Sequence, residues 1–229
     1  MSEPVDRLPQ TRKSYDSAVF EHPDTAPLDL LRQWYDEAAD HVREPNAMTV
    51  STLDEWGPSS RIVLLKGLDE RGLLFFTDYD SAKGRQLQAD PRIAVNFPWQ
   101  DMERQVRIRG LAEAAAPEDS DAYFAVRPRG SQIGATVSKQ SQPVTSREQM
   151  QSEYDAAAAE FEGRDVPRPD HWGGFRVRVF EIDSGRASRT GSTTAGFSAA
   201  PTAATKRPTS TMPLPGRSSA STPEALPHS

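Results

Sequence analysis

Two patterns predict a mainly β, α+β domain: an antiparallel β-barrel with peripheral helices. Short runs rich in branched and aromatic residues recur between turn residues, and a smaller set of segments carries helix-forming residues instead. A third observation bounds the domain. From Ser184 onward, 31 of 46 residues are Ser, Thr, Ala or Pro with no apolar periodicity, so the patterned chain ends near residue 183.

Residues 1–26 are polar and irregular and read as a mobile N-terminal arm. Leu28, Leu31, Tyr35, Ala38 and Val42 then recur at helical spacing behind Pro27, a residue tolerated in a first turn. The strands follow as Ala47–Thr52, Arg61–Leu68, Leu73–Thr77, Ile93–Phe97 and Gln105–Glu113, most of them separated by turns containing Gly, Pro or Asp. Helices are expected over Ser81–Ala89, Glu118–Val126 and Ser146–Phe161, the last opened by the Ser146/Gln149 spacing of a capping box. A final strand, Gly174–Ile182, closes a folded domain of residues 27–182, and residues 183–229 form a tail that does not fold alone.

Composition excludes several roles. The chain has a formal charge of -6 and no basic run in its body, so it lacks the electrostatic footprint of a nucleic-acid or anionic-membrane partner. It contains no cysteine, which removes disulfides and thiolate chemistry and fits the cytoplasm. No apolar stretch is long enough to span a bilayer. His22, His41, His171 and His228 lack paired metal-ligand spacing, so no metal site is expected.

The charges inside the domain are more informative. In a strand, Ile62, Leu64 and Lys66 face one way while Arg61, Val63 and Leu65 face the other, so two cations are available to two anions. Taken alone, this hexapeptide also fits a strand with charged ends in solvent. Tyr123 and Arg127 are four apart and share a helix face, and Ser131 follows a Pro/Gly turn that can return its hydroxyl toward them. With Lys66 they combine a planar fork, a point charge and two hydroxyls, the mixture that orients a phosphate monoester. The bland alternative is an Arg-rich, solvated helix end.

Six blocks appear in order: Arg-Ile-Val-Leu-Leu-Lys, Phe-Pro-Trp, Glu-Arg-Gln-Val, Arg-Pro-Arg-Gly-Ser-Gln-Ile-Gly, Ser-Lys-Gln-Ser and Trp-Gly-Gly-Phe-Arg-Val. In this respect the chain, from about Arg12 to Ile182, resembles the pyridoxine/pyridoxamine 5'-phosphate oxidases. The resemblance implies a six-stranded antiparallel split barrel and a homodimer with FMN at the subunit interface. It implies oxidation of pyridoxine or pyridoxamine 5'-phosphate to pyridoxal 5'-phosphate with O2 as acceptor. By motif, FMN would contact Arg61, Ile62, Val63, Leu64, Leu65, Lys66, Phe76, Thr77, Lys83, Gln105, Gln140 and Ser141, with Arg61 and Lys83 on its phosphate. Substrate would be held by Lys66, Tyr123, Arg127 and Ser131, and covered by an arm containing Arg12, Lys13, Ser14 and Tyr15. Another split-barrel flavoprotein, or a non-catalytic FMN- or pyridoxal phosphate-binding protein, is the alternative.

The sequence departs from this family at two places. Ala82 stands where the family usually carries Arg, removing one expected phosphate contact. After Ile182 the family's Glu-Phe-Trp-Gln-Gly and Arg-Leu-His-Asp-Arg blocks are absent, so no catalytic residue is assigned. A one-base deletion at Asp183 accounts for their loss. With permissible codons for Asp183 to Ala195, restoring one G spells Glu-Phe-Trp-Gln-Gly-Gln-Pro-His-Arg-Leu-His-Asp-Arg, thirteen family-like residues in succession. The tail is therefore read as an out-of-frame translation.

Overall fold

Helix α1 (Pro27–His41) begins with proline in its first turn and buries Leu30, Leu31, Trp34 and Ala38. The computed structural model describes residues 26–186 and 196–197 of the chain. The buried face of α1 is turned from the expected one: Leu31 and Ala38 belong to it, whereas Tyr35 and Val42 are half-buried and Trp34 takes the centre. Tryptophan's larger apolar surface explains the rotation.

The strands are β1 (Ala47–Asp54), β2 (Gly57–Leu64), β3 (Gly67–Asp69), β4 (Gly72–Asp78), β5 (Arg92–Trp99), β6 (Arg104–Ala114), β7 (Trp172–Arg186) and β8 (Gly196–Phe197). They follow the order β2-β1-β5-β6-β7-β4-β3, with β8 on β7. The β1–β2, β1–β5, β5–β6 and β3–β4 pairs are antiparallel. This is the expected α+β, mainly antiparallel architecture.

One expected strand is divided. Arg61–Leu68 spans the end of β2 and most of β3 because the chain changes partners: Leu64 pairs with Ala47, the Leu65 N–H donates to Asn46 O at 2.8 Å, and the Lys66 N–H donates to Leu74 O at 2.8 Å. Apolar patterning reports extended backbone but carries no label for the neighbouring strand. The last strand runs to Arg186, beyond the expected Ile182.

Two units are distinguished. In their described residues, the first comprises residues up to Phe75, Arg92–Ala112, and the chain from Arg176. Its core includes Trp34, Met48, Val50, Val95, Phe97, Trp99, Val106, Ile108 and Val177, all buried. The alternating burial of β1 and β5 arises because successive strand side chains face opposite ways.

The second unit comprises Phe76–Pro91 and Glu113–Phe175 among the described residues. It contains α2 (Ala82–Ala89), α3 (Pro117–Val126), α4 (Arg129–Val137) and α5 (Arg147–Glu160). Phe124, Ile133, Ala135, Ala157, Val166 and Trp172 form its buried cluster. Ser146 caps α5 by accepting from the Gln149 N–H at 3.1 Å, but Gln149 Nε2 donates to Glu153 instead of closing the capping box. Helix α4 was not expected. Its Gly130, Gly134, Ile133, Thr136 and Val137 are poor helix formers, and burial of Ile133 and Ala135 in the cluster outweighs that preference.

Candidate functional site

The end of β4 and the start of α2 build a cationic cluster in the second unit. The Ser81 hydroxyl donates to Asp78 O at 2.6 Å and accepts from the Gly84 N–H at 3.2 Å, fixing the first turn of α2. Lys83 lies in that turn and is only 7% exposed. Its ammonium donates to Gln140 Oε1 at 2.5 Å, Thr77 Oγ1 at 3.0 Å and Ser81 Oγ at 3.3 Å. Thr77, Lys83 and Gln140, 63 residues apart at the extremes, are thus brought together. Ser141 follows Gln140 with a left-handed backbone at φ 66° and is exposed.

A second cluster surrounds Phe76. Its ring stacks on Tyr123 at 4.3 Å and 17°, and on Trp172 at 5.5 Å and 7°. The Arg127 guanidinium lies 4.5 Å from the Trp172 ring centroid and 5.6 Å from that of Phe124. Arg127 Nη1 is buried and has no hydrogen-bond partner among the described residues. Burial pushes the guanidinium's pKa down, opposed by the nearby Tyr123 hydroxyl. Arginine's ordinary pKa is high enough that the group stays protonated.

The expected geometry of this clamp is corrected in two respects. Arg127 does not share a helix with Tyr123: α3 stops at Val126, and Arg127 is extended at φ -68°, ψ 147°. The cause is Pro128, whose ring disfavours helical backbone in the preceding residue. Ser131 does not sit on a returning loop; it is an exposed residue in the first turn of α4, its N–H on Pro128 O at 2.8 Å.

The first unit holds the other candidates. Arg61 Nη1 donates to Thr52 Oγ1 at 2.5 Å and Ser59 O at 3.1 Å, and Nη2 donates to Ser59 Oγ at 2.8 Å. Burial lowers its pKa and Asp54 opposes that shift. Ile62 and Lys66 are exposed, Val63 and Leu64 are half-buried, and Leu65 is buried. The expected alternation is visible except at the half-covered Leu64. Exposed Gln105 lines a cavity of about 290 Å³ with Ser51, Asn96 and Arg107, where Asn96 Oδ1 is buried without a hydrogen-bond partner among the described residues. Arg12, Lys13, Ser14 and Tyr15, and most of the tail, lie outside the described residues.

Trp172 was not among the expected site residues, although the Trp-Gly-Gly block was visible. Its role becomes apparent only once Arg127 is placed. Of the histidines, His171 Nε2 lies 3.1 Å from Ala135 O, and its own carbonyl accepts from the Tyr79 N–H at 2.6 Å. Among the described residues no group of three His, Cys, Asp or Glu could hold a metal, and no helix is long and apolar enough to cross a membrane.

A sequence model of the pyridoxamine 5'-phosphate oxidase family matches residues 35–161, more than half of the chain. The chain belongs to that family. Members of this oxidoreductase family that it resembles include the pyridoxine/pyridoxamine 5'-phosphate oxidases of Bordetella petrii and Rubrobacter xylanophilus. The first is 50% identical over 184 residues, covering 78% of this chain and 87% of the relative. The second is 48% identical over 170 residues, covering 72% and 78%. Among solved structures, PhzG from Burkholderia lata, in complex with tetrahydrophenazine-1-carboxylic acid, matches with a TM-score of 0.72 at 25% identity, over 80% of this chain and 98% of PhzG. A pyridoxamine 5'-phosphate oxidase-related, FMN-binding protein from Nostoc punctiforme has a TM-score of 0.55 at 12% identity, over 76% of this chain and 98% of that one, and supports the split-barrel fold alone.

Proposed function

We propose that this chain, as a homodimer, binds FMN and oxidises pyridoxine or pyridoxamine 5'-phosphate to pyridoxal 5'-phosphate, with O2 as electron acceptor. The observation that carries the substrate class is Arg127. Its guanidinium is braced on an aromatic face with a buried nitrogen left without a hydrogen-bond partner among the described residues, an arrangement suited to one more acceptor from an anionic ligand.

The cofactor also fits the donor set. Lys83 offers a positioned charge, and Thr77 and Gln140 offer polar atoms beside it, so this cluster would hold FMN's phosphate and neighbouring polar groups. The remaining contacts would be Arg61–Lys66, Phe76, Gln105 and Ser141, as the family motifs imply. When bound, the flavin supplies the two-electron acceptor that O2 regenerates with release of peroxide. The protein's part is orientation. Arg127 would fork onto the substrate phosphate, with Tyr123, Ser131 and Lys66 adding donors. The stacked Phe76, Tyr123 and Trp172 rings would exclude water and fix the clamp's position.

The absence of the family's C-terminal blocks lowers the activity expected of this chain. The test is to add pyridoxine 5'-phosphate anaerobically to FMN-loaded protein and follow the flavin's visible absorption. Bleaching, followed by peroxide on admitting air, supports the reading; persistent colour with FMN bound refutes oxidation and leaves a binding protein. The likeness to PhzG favours one second reading, a flavoprotein acting on a substrate without phosphate. That reading predicts no advantage of pyridoxine 5'-phosphate over pyridoxine.

A further inference from the structure

The Trp-Gly-Gly block at residues 172–174 contains no group able to take part in the proposed chemistry, yet it stands against both rings and the cation of the candidate anion site. We propose that this block is the pedestal of the phosphate clamp: Trp172 is a positioning residue that holds Arg127 in its ligand-ready orientation, and Gly174 admits the ring that completes the stack. The inference rests on the substrate reading above and adds to it the device that aims its principal cation.

Trp172 is 7% exposed and held through its backbone. Its N–H donates to Pro169 O at 3.0 Å, and its carbonyl accepts from Arg168 Nη1 at 2.7 Å. Arg168 Nε in turn donates to Asp121 Oδ1 on α3 at 2.5 Å. The indole is therefore tied to the same helix that carries Tyr123 and Phe124. One side of this arrangement receives Phe76 in near-parallel stacking, Phe124 meets the indole edge-on at 67°, and Arg127 lies over the ring.

The glycines explain how the packing becomes this close. A Cβ at Gly174 would stand 2.9 Å from Phe76 Cε1 and 2.8 Å from Ala115 Cβ, and one at Gly173 would stand 2.2 Å from the Tyr79 hydroxyl oxygen. Any other residue at 174 therefore presses on the Phe76 ring, which stacks against both Tyr123 and Trp172. An arginine side chain has many rotamers, and an extended Arg127 beyond the end of α3 has no helix to restrict it. The indole face supplies that restriction without taking up the guanidinium's in-plane N–H donors.

The test uses a ligand pair that cannot be oxidised at the reacting carbon, 4-deoxypyridoxine 5'-phosphate and 4-deoxypyridoxine. Their dissociation constants are measured by titration calorimetry on the FMN-loaded full chain. The ratio of the two constants reads phosphate recognition alone. Wild type should prefer the phosphorylated ligand strongly, and R127Q should lose most of that preference. A ratio near one in wild type, or an unchanged ratio in R127Q, refutes the clamp itself. With the clamp intact, W172L should reduce the ratio about three- to thirty-fold, the range of a cation–π contact from exposed to desolvated. W172F should reduce it less and leave binding of 4-deoxypyridoxine unchanged. In the R127Q background W172L should have no further effect. An unchanged ratio in W172L, an equal loss for both ligands in W172F, or a further loss in the double variant overturns the pedestal. Should W172L fail to fold, W172F alone still decides between a selective loss of phosphate binding and an equal loss for both ligands.

Discussion

Lys83→Met separates a ligand-binding lysine from a structural one. Methionine keeps an unbranched side chain of similar length and removes the ammonium that lies within 2.5–3.3 Å of Gln140, Thr77 and Ser81. In the protein without FMN, two effects oppose each other. Thr77 and Gln140 lose a donor, costing about 1–3 kcal/mol if their oxygens stay dry. Removing a 7% exposed ammonium also removes its desolvation cost, several kcal/mol for an isolated ion. The expected change in Tm is therefore small, within about 4 °C. FMN binding has no such compensation: one charge-assisted hydrogen bond of about 1.5–3 kcal/mol is lost, so Kd should rise about ten- to 150-fold. Quenching of flavin fluorescence on titration gives Kd, and a melt of the FMN-free protein gives Tm. A Kd within two-fold of wild type refutes a phosphate role for Lys83, whatever the melt shows.

Gly174→Ala should cost about 1–3 kcal/mol through overpacking against Phe76 and Ala115, lowering Tm by about 3–10 °C; an unchanged melt rejects the close packing. Tyr79 is buried, and desolvation raises its pKa above 10.0 despite hydrogen bonds with Ser120 and Gly174. The folded state thus keeps the phenolic proton where the unfolded chain has lost it, so this contribution is complete below pH 10 and declines as pH rises toward the folded value. Urea melts of Tyr79→Phe between pH 9 and about 11 should show a shallower alkaline decline than wild type, and parallel curves count against the burial argument. Restoring one G at codon 183 should tighten FMN binding and raise the oxidation rate of pyridoxine 5'-phosphate; no gain in either assay argues against the out-of-frame reading.

Local chemistry made most of the fold legible. Short runs of branched and aromatic residues between turn residues located the six principal strands because such side chains suit extended, partly buried backbone, and Ser146 marked the start of α5 because its hydroxyl caps the Gln149 N–H. Two kinds of information were missing. Partner choice is non-local, so the break between β2 and β3 had no sequence mark. Tertiary burial also decided α4 against the propensity of its own residues. At the candidate site, the side chains of Thr77, Lys83 and Gln140 meet. The Tyr123/Arg127 pair was assigned the wrong geometry because the helical spacing was extended through a residue preceding proline. Trp172 went unassigned because an indole beneath an arginine looks, in sequence, like any other core aromatic.

On the proposed out-of-frame reading of the tail, strand β7 predicts a sheet that is spared beside weakened chemistry. Pairing requires extended backbone, and the strand continues to Arg186, with Ile182 opposite Phe197 and Asp183 opposite Gly196. Ile182 remains buried. Arg107 donates to the Asp183 carboxylate; the restored frame places glutamate there, so a carboxylate faces this arginine in either frame. That pair is partly solvent-exposed and contributes little stability, but it removes any charge reversal at the junction. From position 184 the two frames differ in kind. Ser-Gly-Arg stands in place of the Phe-Trp-Gln of the restored message, a block whose aromatic the family resemblance implies on FMN. Loss should therefore appear in cofactor affinity and turnover before it appears in the melting of residues 27–182.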